Sequence, residues 1–195
     1  MPIIEEINKF SNDLTKIFQD FHKHPEIGMQ EVRTSKKVNE FLNSWGIKTY
    51  TGIGKMGVVG VLEGKRSGKT IGLRADMDAL PIHEKTNLPY SSKNPGVMHA
   101  CGHDAHTTML LGAARYLAEN KNFSGRAIFI FQPAEEGLGG AKAMLEDKLF
   151  EKFPCDEIYG LHNWPTGELG KVGIKPGIAM AGADFFDITI KAFGS

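Results

Sequence analysis

Near the start of the chain, apolar residues recur at helical spacing. Ile4, Ile7, Phe10, Leu14, Ile17, Phe18 and Phe21 lie three or four apart, which predicts a helix over 4–21. Pro25 disfavours helical geometry in the residue before it, so this helix should end at His24–Pro25. Val38, Phe41, Leu42 and Trp45 repeat the spacing within Thr34–Trp45, and Gly46 supplies a stop. The pattern then changes to short runs rich in β-branched residues. Lys48–Tyr50, Gly57–Leu62 and Thr70–Arg74 each predict a strand, with glycine-rich turns between them. Thr107–Asn120 predicts an amphipathic helix, Ala127–Phe131 a buried strand and Gly140–Asp147 a helix. Glu157–His162 and Gly170–Ile174 predict two more strands. This order is that of an α/β domain with a mixed, mostly parallel central sheet and helices on both faces. The last stretch, ADFFDITIKAFGS, alternates as a strand would and stops without a turn or partner, as expected of a chain cut within a larger protein.

Composition narrows the functional classes. With 195 residues, 41% of them hydrophobic, the chain can build one globular domain and perhaps begin a second. Lys plus Arg is 23 and Asp plus Glu is 23, so 23 − 23 leaves a formal charge of 0 and no basic field to draw in nucleic acid. The N-terminus MPIIEEINKFSNDL lacks the basic start and apolar core of a signal peptide. No apolar run approaches the ~18 residues needed to cross a bilayer. Neither nucleic acid nor membrane is therefore an expected partner, and the expected location is the cytoplasm. Cys101 and Cys155 are expected to stay unpaired in that reducing compartment. GLGGAK lacks the Lys-Ser/Thr ending of a phosphate loop, and GIGKMG does not fit the dinucleotide pattern.

The candidate chemistry sits in three segments that each follow a hydrophobic run. MHACGHDAH packs His99, Cys101, His103, Asp104 and His106 together, FQPAEEG carries Glu135 and Glu136, and GLHNWP carries His162. Thiolate, imidazole and carboxylate are ligands of zinc, manganese and related metals. Cys101 and His103 stand two apart in a turn before a helix, whose N-terminus favours a thiolate. Glu135 and Glu136 are adjacent, so one can bind metal while the other faces substrate. A carboxylate beside a metal-activated water can move its proton to a leaving nitrogen. Asp76 and Asp78 also end a strand. Asp78 can orient a ligand imidazole, or both carboxylates can simply pair with Arg74. The sum points to metal-assisted hydrolysis at the edge of a sheet.

RADMDALPI, MHACGHDAHTTMLLGAA, FQPAEEG and GLHNWP, in this order and with HKHPEIGMQE ahead of them, resemble a known family. It is the metal-dependent amidohydrolase and aminoacylase family of hippurate hydrolase, auxin-conjugate hydrolases and N-acetyl-diaminopimelate deacetylase, related to zinc carboxypeptidases. The resemblance implies a three-layer zinc-peptidase-like domain holding two divalent ions (Zn, Mn, Co or Ni). It implies Cys101 as a shared ligand, with His103, Glu136 and His162 as further metal ligands. Glu135 is implied as general base and Asp78 as the residue that orients a ligand or base. Asp76 stands where the zinc carboxypeptidases have a ligand histidine. The implied substrate is a small N-acyl amino acid, and the implied reaction is cleavage of its amide bond. Residues 1–182 would form the N-terminal part of the catalytic domain and 183–195 the start of a truncated lid and dimerisation domain. The rest of that domain would supply a further histidine ligand and the surface of a homo-oligomer. Two other readings stay open, a metal-dependent peptidase or dipeptidase and a metal-binding module without catalysis. The Glu135–Glu136 pair counts against the second, since a closed structural zinc site has four ligands and no spare carboxylate.

Overall fold

The computed structural model describes residues 5–178, 182, 184 and 186–192. The chain divides into two units, Pro2–Trp164 and a segment from Pro165 onward. The first holds every helix and strand among the described residues. In the second, Gly170–Ile174 does not form the expected strand: Val172 and Ile174 are exposed, and no neighbouring strand among the described residues pairs with them. The strand expected in ADFFDITIKAFGS falls partly outside the described residues, at 183, 185 and 193–195, while 186–192 form no strand.

The first unit begins with α1 (Glu5–Asn8), α2 (Ser11–Lys23) and α3 (Val32–Ser44). The single helix expected over 4–21 is thus broken at Lys9–Phe10. Asn8 and Ser11 favour turns and caps over helix interiors. The break also turns Phe10 inward, where the Arg115 guanidinium lies 4.4 Å from its ring centroid. Then follow β1 (Lys48–Ile53), β2 (Gly57–Glu63), β3 (Arg66–Asp76), α4 (His103–Glu119), β4 (Ser124–Gln132), α5 (Gly140–Glu146), α6 (Leu149–Lys152) and β5 (Glu157–Gly160). These strands form one sheet in the order β1-β2-β4-β3-β5. β4, β3 and β5 run parallel, whereas β1–β2 and β2–β4 are antiparallel. The sheet is mixed as expected, but parallel pairs make up half of it rather than most. The tight turn Gly54–Met56 can only join β1 and β2 as a hairpin.

Alternation along the central strands sorts side chains to two faces. Ala127, Phe129 and Phe131 of β4, with Val58 and Leu62 of β2, meet Phe21 of α2, Leu42 of α3 and Leu111 of α4. Ile128 and Ile130, with Val59, meet Met144 of α5 and Leu149 of α6 on the other face. Helices therefore cover both faces, and β4 is buried from either side. That arrangement leaves the carboxyl ends of β3, β4 and β5 side by side, the usual place for a ligand in an open α/β sheet.

Candidate metal centre

Each strand of the parallel trio delivers chemistry where it ends. Asp76 closes β3 opposite Gln132 of β4, and Asp78 follows two residues later. Pro133–Glu136 continue from β4, and His162 continues from β5. The fourth contributor is α4. It starts at His103, earlier than the expected Thr107, because Gly102 takes a left-handed conformation (φ 88°) that a side chain would resist. His103 and His106 then stand three apart in its first turn and share a face, with ring centroids 5.5 Å apart.

His103 is the hub. It is fully buried, and its Nδ1–H is shared between the Asp78 carbonyl at 2.9 Å and Asp78 Oδ1 at 3.1 Å. In the neutral ring this leaves the Nε2 lone pair free, and this buried atom has no hydrogen-bond partner among the described residues. It lies 3.6 Å from Asp76 Oδ2 and 4.0 Å from both Glu135 Oε2 and Glu136 Oε1. Cys101 Sγ lies 3.4 Å from His162 Nε2. Three overlapping groups have ligand atoms within 4.8 Å of one another: Cys101–His103–His162, His103–Glu135–Glu136 and Asp76–His103–His106. The sequence-predicted ligands Cys101, His103, Glu136 and His162 therefore converge, as does Glu135. An unpartnered buried imidazole nitrogen beside thiol, imidazole and carboxylate is a donor set that fits zinc and other divalent ions.

Electrostatics separate the two aspartates. Burial pushes Asp76 up, but the His106 Nδ1–H at 2.6 Å, His103 and Arg74 outweigh it and hold the carboxyl at about 2. Arg74 reaches Asp76 Oδ2 at 2.8 Å, so the ion-pair alternative holds for Asp76. Asp78 pairs with His103 instead. Burial raises it too, yet the His103 hydrogen bond and the Glu136 and Glu135 amides leave it below its ordinary value. Its Oδ2 accepts the Glu136 N–H at 3.0 Å, so one carboxylate orients His103 and fixes the backbone of Glu136. Cys101 departs from expectation. Burial, then the Glu136 and Glu135 carboxylates and Asp76, push its thiol up to about 12, outweighing the helix N-terminus that was expected to favour the thiolate.

Several supporting residues carried no signal on their own. Ala134 adopts φ 49°, a left-handed conformation costing ~1 kcal/mol for a non-glycine residue. Its N–H donates to Glu31 Oε1 at 2.7 Å, and burial pushes that carboxyl up to about 7. His106 accepts the Asn163 N–H at Nε2, 3.0 Å away, which ties α4 to the residue after His162. His22, an unremarkable helical histidine in the sequence, lies between Asp104 Oδ2 at 2.7 Å and Glu84 Oε1 at 3.1 Å. The fit of HKHPEIGMQE to the family motif was the one sequence hint that this early segment serves the site. Cys155 stays unpaired, as does Cys101.

A parallel trio of strands whose ends gather a histidine hub, a thiol and adjacent glutamates defines a metallohydrolase-like centre on an α/β sheet. The chain belongs to Peptidase family M20/M25/M40, whose pattern matches residues 72–194. It is 54% identical over 190 residues to hippurate hydrolase from Campylobacter jejuni, covering 97% of this chain and 49% of that protein. It is 42% identical over 191 residues to N-acetyldiaminopimelate deacetylase from Listeria innocua, covering 94% of this chain and 49% of that one. Among solved structures, a dinuclear metal binding peptidase of the M20 family from Bacillus subtilis superposes with a TM-score of 0.82 at 41% identity, covering 86% of this chain and 47% of that one. The chain thus spans about half the length of the curated relatives it matches. Among the described residues, no helix is long and apolar enough to cross a membrane.

Proposed function

We propose that this chain carries the metal-holding half of a hydrolase that cleaves the amide bond of small N-acyl amino acids. The observation that carries the reading is the buried, unpartnered Nε2 of His103, ringed by the Glu135, Glu136 and Asp76 carboxylates. Cys101, His103, Glu136 and His162 would hold two divalent ions. Cys101 suits zinc, and the nitrogen and oxygen donors also suit manganese, cobalt or nickel. When bound, such ions supply a Lewis acid for the scissile carbonyl and acidify water.

The chain's own residues move the proton. Glu135 keeps its side chain 43% exposed at the rim of the cluster, where it can meet both water and substrate. Its carboxylate takes a proton from the attacking water at Oε2 and returns it to the leaving amine nitrogen, so that water and amide become acid and amine. Glu136 is less exposed, at 29%, and its amide is pinned by Asp78, which suits it to the ligand role. The 54% identity to a hippurate hydrolase supports an acyl-amide substrate, whereas the 42% identities to a deacetylase and to a thermostable carboxypeptidase are equal and favour neither class.

The test uses the full-length metal-loaded protein with a panel of hippurate, N-acetyl amino acids and dipeptides. Glu135→Gln is expected to retain the parent's metal content and lose turnover by about 10²–10⁴-fold. Undiminished turnover would remove Glu135 from the base role. Faster cleavage of dipeptides than of acyl amino acids would move the protein to the peptidase reading.

A further inference from the structure

We propose that Glu31 is a positioning residue for the Glu135–Glu136 turn, acting through the backbone N–H of Ala134. The inference rests on the roles proposed above for Glu135 and Glu136. Glu31 lies ahead of α3, far from the cluster in sequence, yet its carboxyl is 0% exposed and accepts the Ala134 N–H at 2.7 Å. Its second oxygen, Oε2, is buried with no hydrogen-bond partner among the described residues. A buried carboxylate whose oxygens are only half satisfied is a poor way to stabilise a core. An apolar side chain of similar volume would suit the site better if packing were the only requirement. What Glu31 does provide is an acceptor at the one point where the chain leaves β4 and turns toward the metal centre.

That point is held on every side. Ala134 is itself fully buried and takes a left-handed φ of 49°. Its carbonyl accepts the Gly140 N–H at 2.9 Å, and the Glu136 N–H goes to Asp78 Oδ2 at 3.0 Å. Gly28, from the same early segment as Glu31, leaves the space: a Cβ there would stand 2.9 Å from the Ala134 Cα and Cβ. Glu31 and Asp78 therefore grip the amides on either side of Glu135. Ion pairing does not account for Glu31, because the Arg33 guanidinium pairs with Asp20 instead. Strained non-glycine turns persist only where their surroundings over-determine them, and they gather at functional sites. Here the surroundings that fix the strain are the Glu31 carboxyl and the Gly28 gap.

Two variants separate positioning from mere packing. Glu31→Met keeps volume and removes the acceptor, while Glu31→Gln keeps an acceptor oxygen and removes the charge. The direct readout is amide hydrogen exchange at Ala134 and Glu136, which needs neither metal nor substrate. Glu31→Met is expected to speed exchange at these amides at least about tenfold, with the β4 amides unchanged. In the full-length metal-loaded protein, Glu31→Met should lower kcat by about 10–100-fold with little change in KM, and weaken cobalt binding read from its absorption spectrum. The thermal midpoint should hold or rise, and Glu31→Gln should stay close to the parent in every readout. Unchanged exchange in Glu31→Met, or a kcat loss in Glu31→Gln equal to that in Glu31→Met, overturns the proposal. So does a kcat loss that merely tracks a fall in thermal midpoint. If Glu31→Met does not fold, Glu31→Gln decides alone, since a loss of exchange protection there excludes the acceptor role. Glu135→Gln, run in the same series, reports on the general-base reading separately, because the exchange result does not depend on it.

Discussion

Replacing Asp78 with Asn probes the most economical part of the centre. The carboxylate accepts from His103 Nδ1–H through Oδ1 and from the Glu136 N–H through Oδ2, at 3.1 and 3.0 Å. An amide has one acceptor and one donor end, so Asp78→Asn must point its NH₂ at one of these two donors. Either way a buried donor faces a donor, which costs ~1–3 kcal/mol. The His103 ring is partly insured, because the Asp78 backbone carbonyl at 2.9 Å accepts from the same Nδ1–H. The loss should therefore fall mainly on the Glu136 turn. The metal-free turn can relax away from this clash while a bound ion would hold it in place, so the penalty falls on the loaded state; at 1.4 kcal/mol per decade it weakens metal binding by up to about 150-fold. Competition against a chelator of known affinity measures this directly, with circular dichroism confirming the fold. An unchanged metal affinity in a well-folded Asp78→Asn protein would falsify the argument that this carboxylate orients the ligand set.

Other consequences are open to test. His22→Gln should destabilise the protein in a pH-dependent way. The Asp104 hydrogen bond raises His22, so its contribution is complete below its ordinary value of 6.5 and fades as pH rises through the folded value. Burial raises Glu84, but the Thr86 hydroxyl, the Ser92 amide and His22 bring it down to about 2, so its contribution is complete above 4.5 and fades as pH falls. The deficit of His22→Gln in thermal midpoint should thus be largest between pH 4.5 and 6.5 and smaller at pH 9; a deficit that grows toward alkaline pH would contradict the ion-pair assignment. Gly102→Ala places a Cβ 2.6 Å from Asn163 Oδ1 at φ 88°, so urea unfolding should show a loss of ~1–2 kcal/mol. A neutral result there would mean that α4 can start without its left-handed residue.

The hydrophobic pattern made most of the scaffold legible, since the β-branched run of β2, the continuous apolar run of β4 and the helical spacing in α2, α3 and α4 all mark real elements. The candidate site residues were legible for a related reason. Glu135, Glu136 and His162 follow strand runs that stop abruptly, while Cys101 and His103 crowd the start of α4 in a dense cluster of thiol and imidazole residues. Features set by distant partners were not. The Glu31–Ala134 contact spans 103 positions and the His22–Asp104 contact spans 82, and no local period encodes either. The early start of α4 turned on the backbone conformation of Gly102, a choice that composition leaves open. At Cys101 the helix end is visible in the sequence, whereas the carboxylates that push its thiol up come from distant segments. Gly170–Ile174 had strand-forming residues but found no ladder to join among the described residues.

The strand order sets a timetable for assembly. β3 ends at Asp76, but its parallel neighbours β4 and β5 begin only at Ser124 and Glu157. Closing loops of that length precedes any reward from pairing, so the trio forms late relative to the β1–β2 hairpin and the helices. Until it forms, Asp78, Glu136 and His162 are not neighbours, and only the local Cys101–His103 step can meet an ion. A divalent metal should then act as a lock on the finished sheet rather than a seed for it, slowing unfolding far more than it speeds refolding.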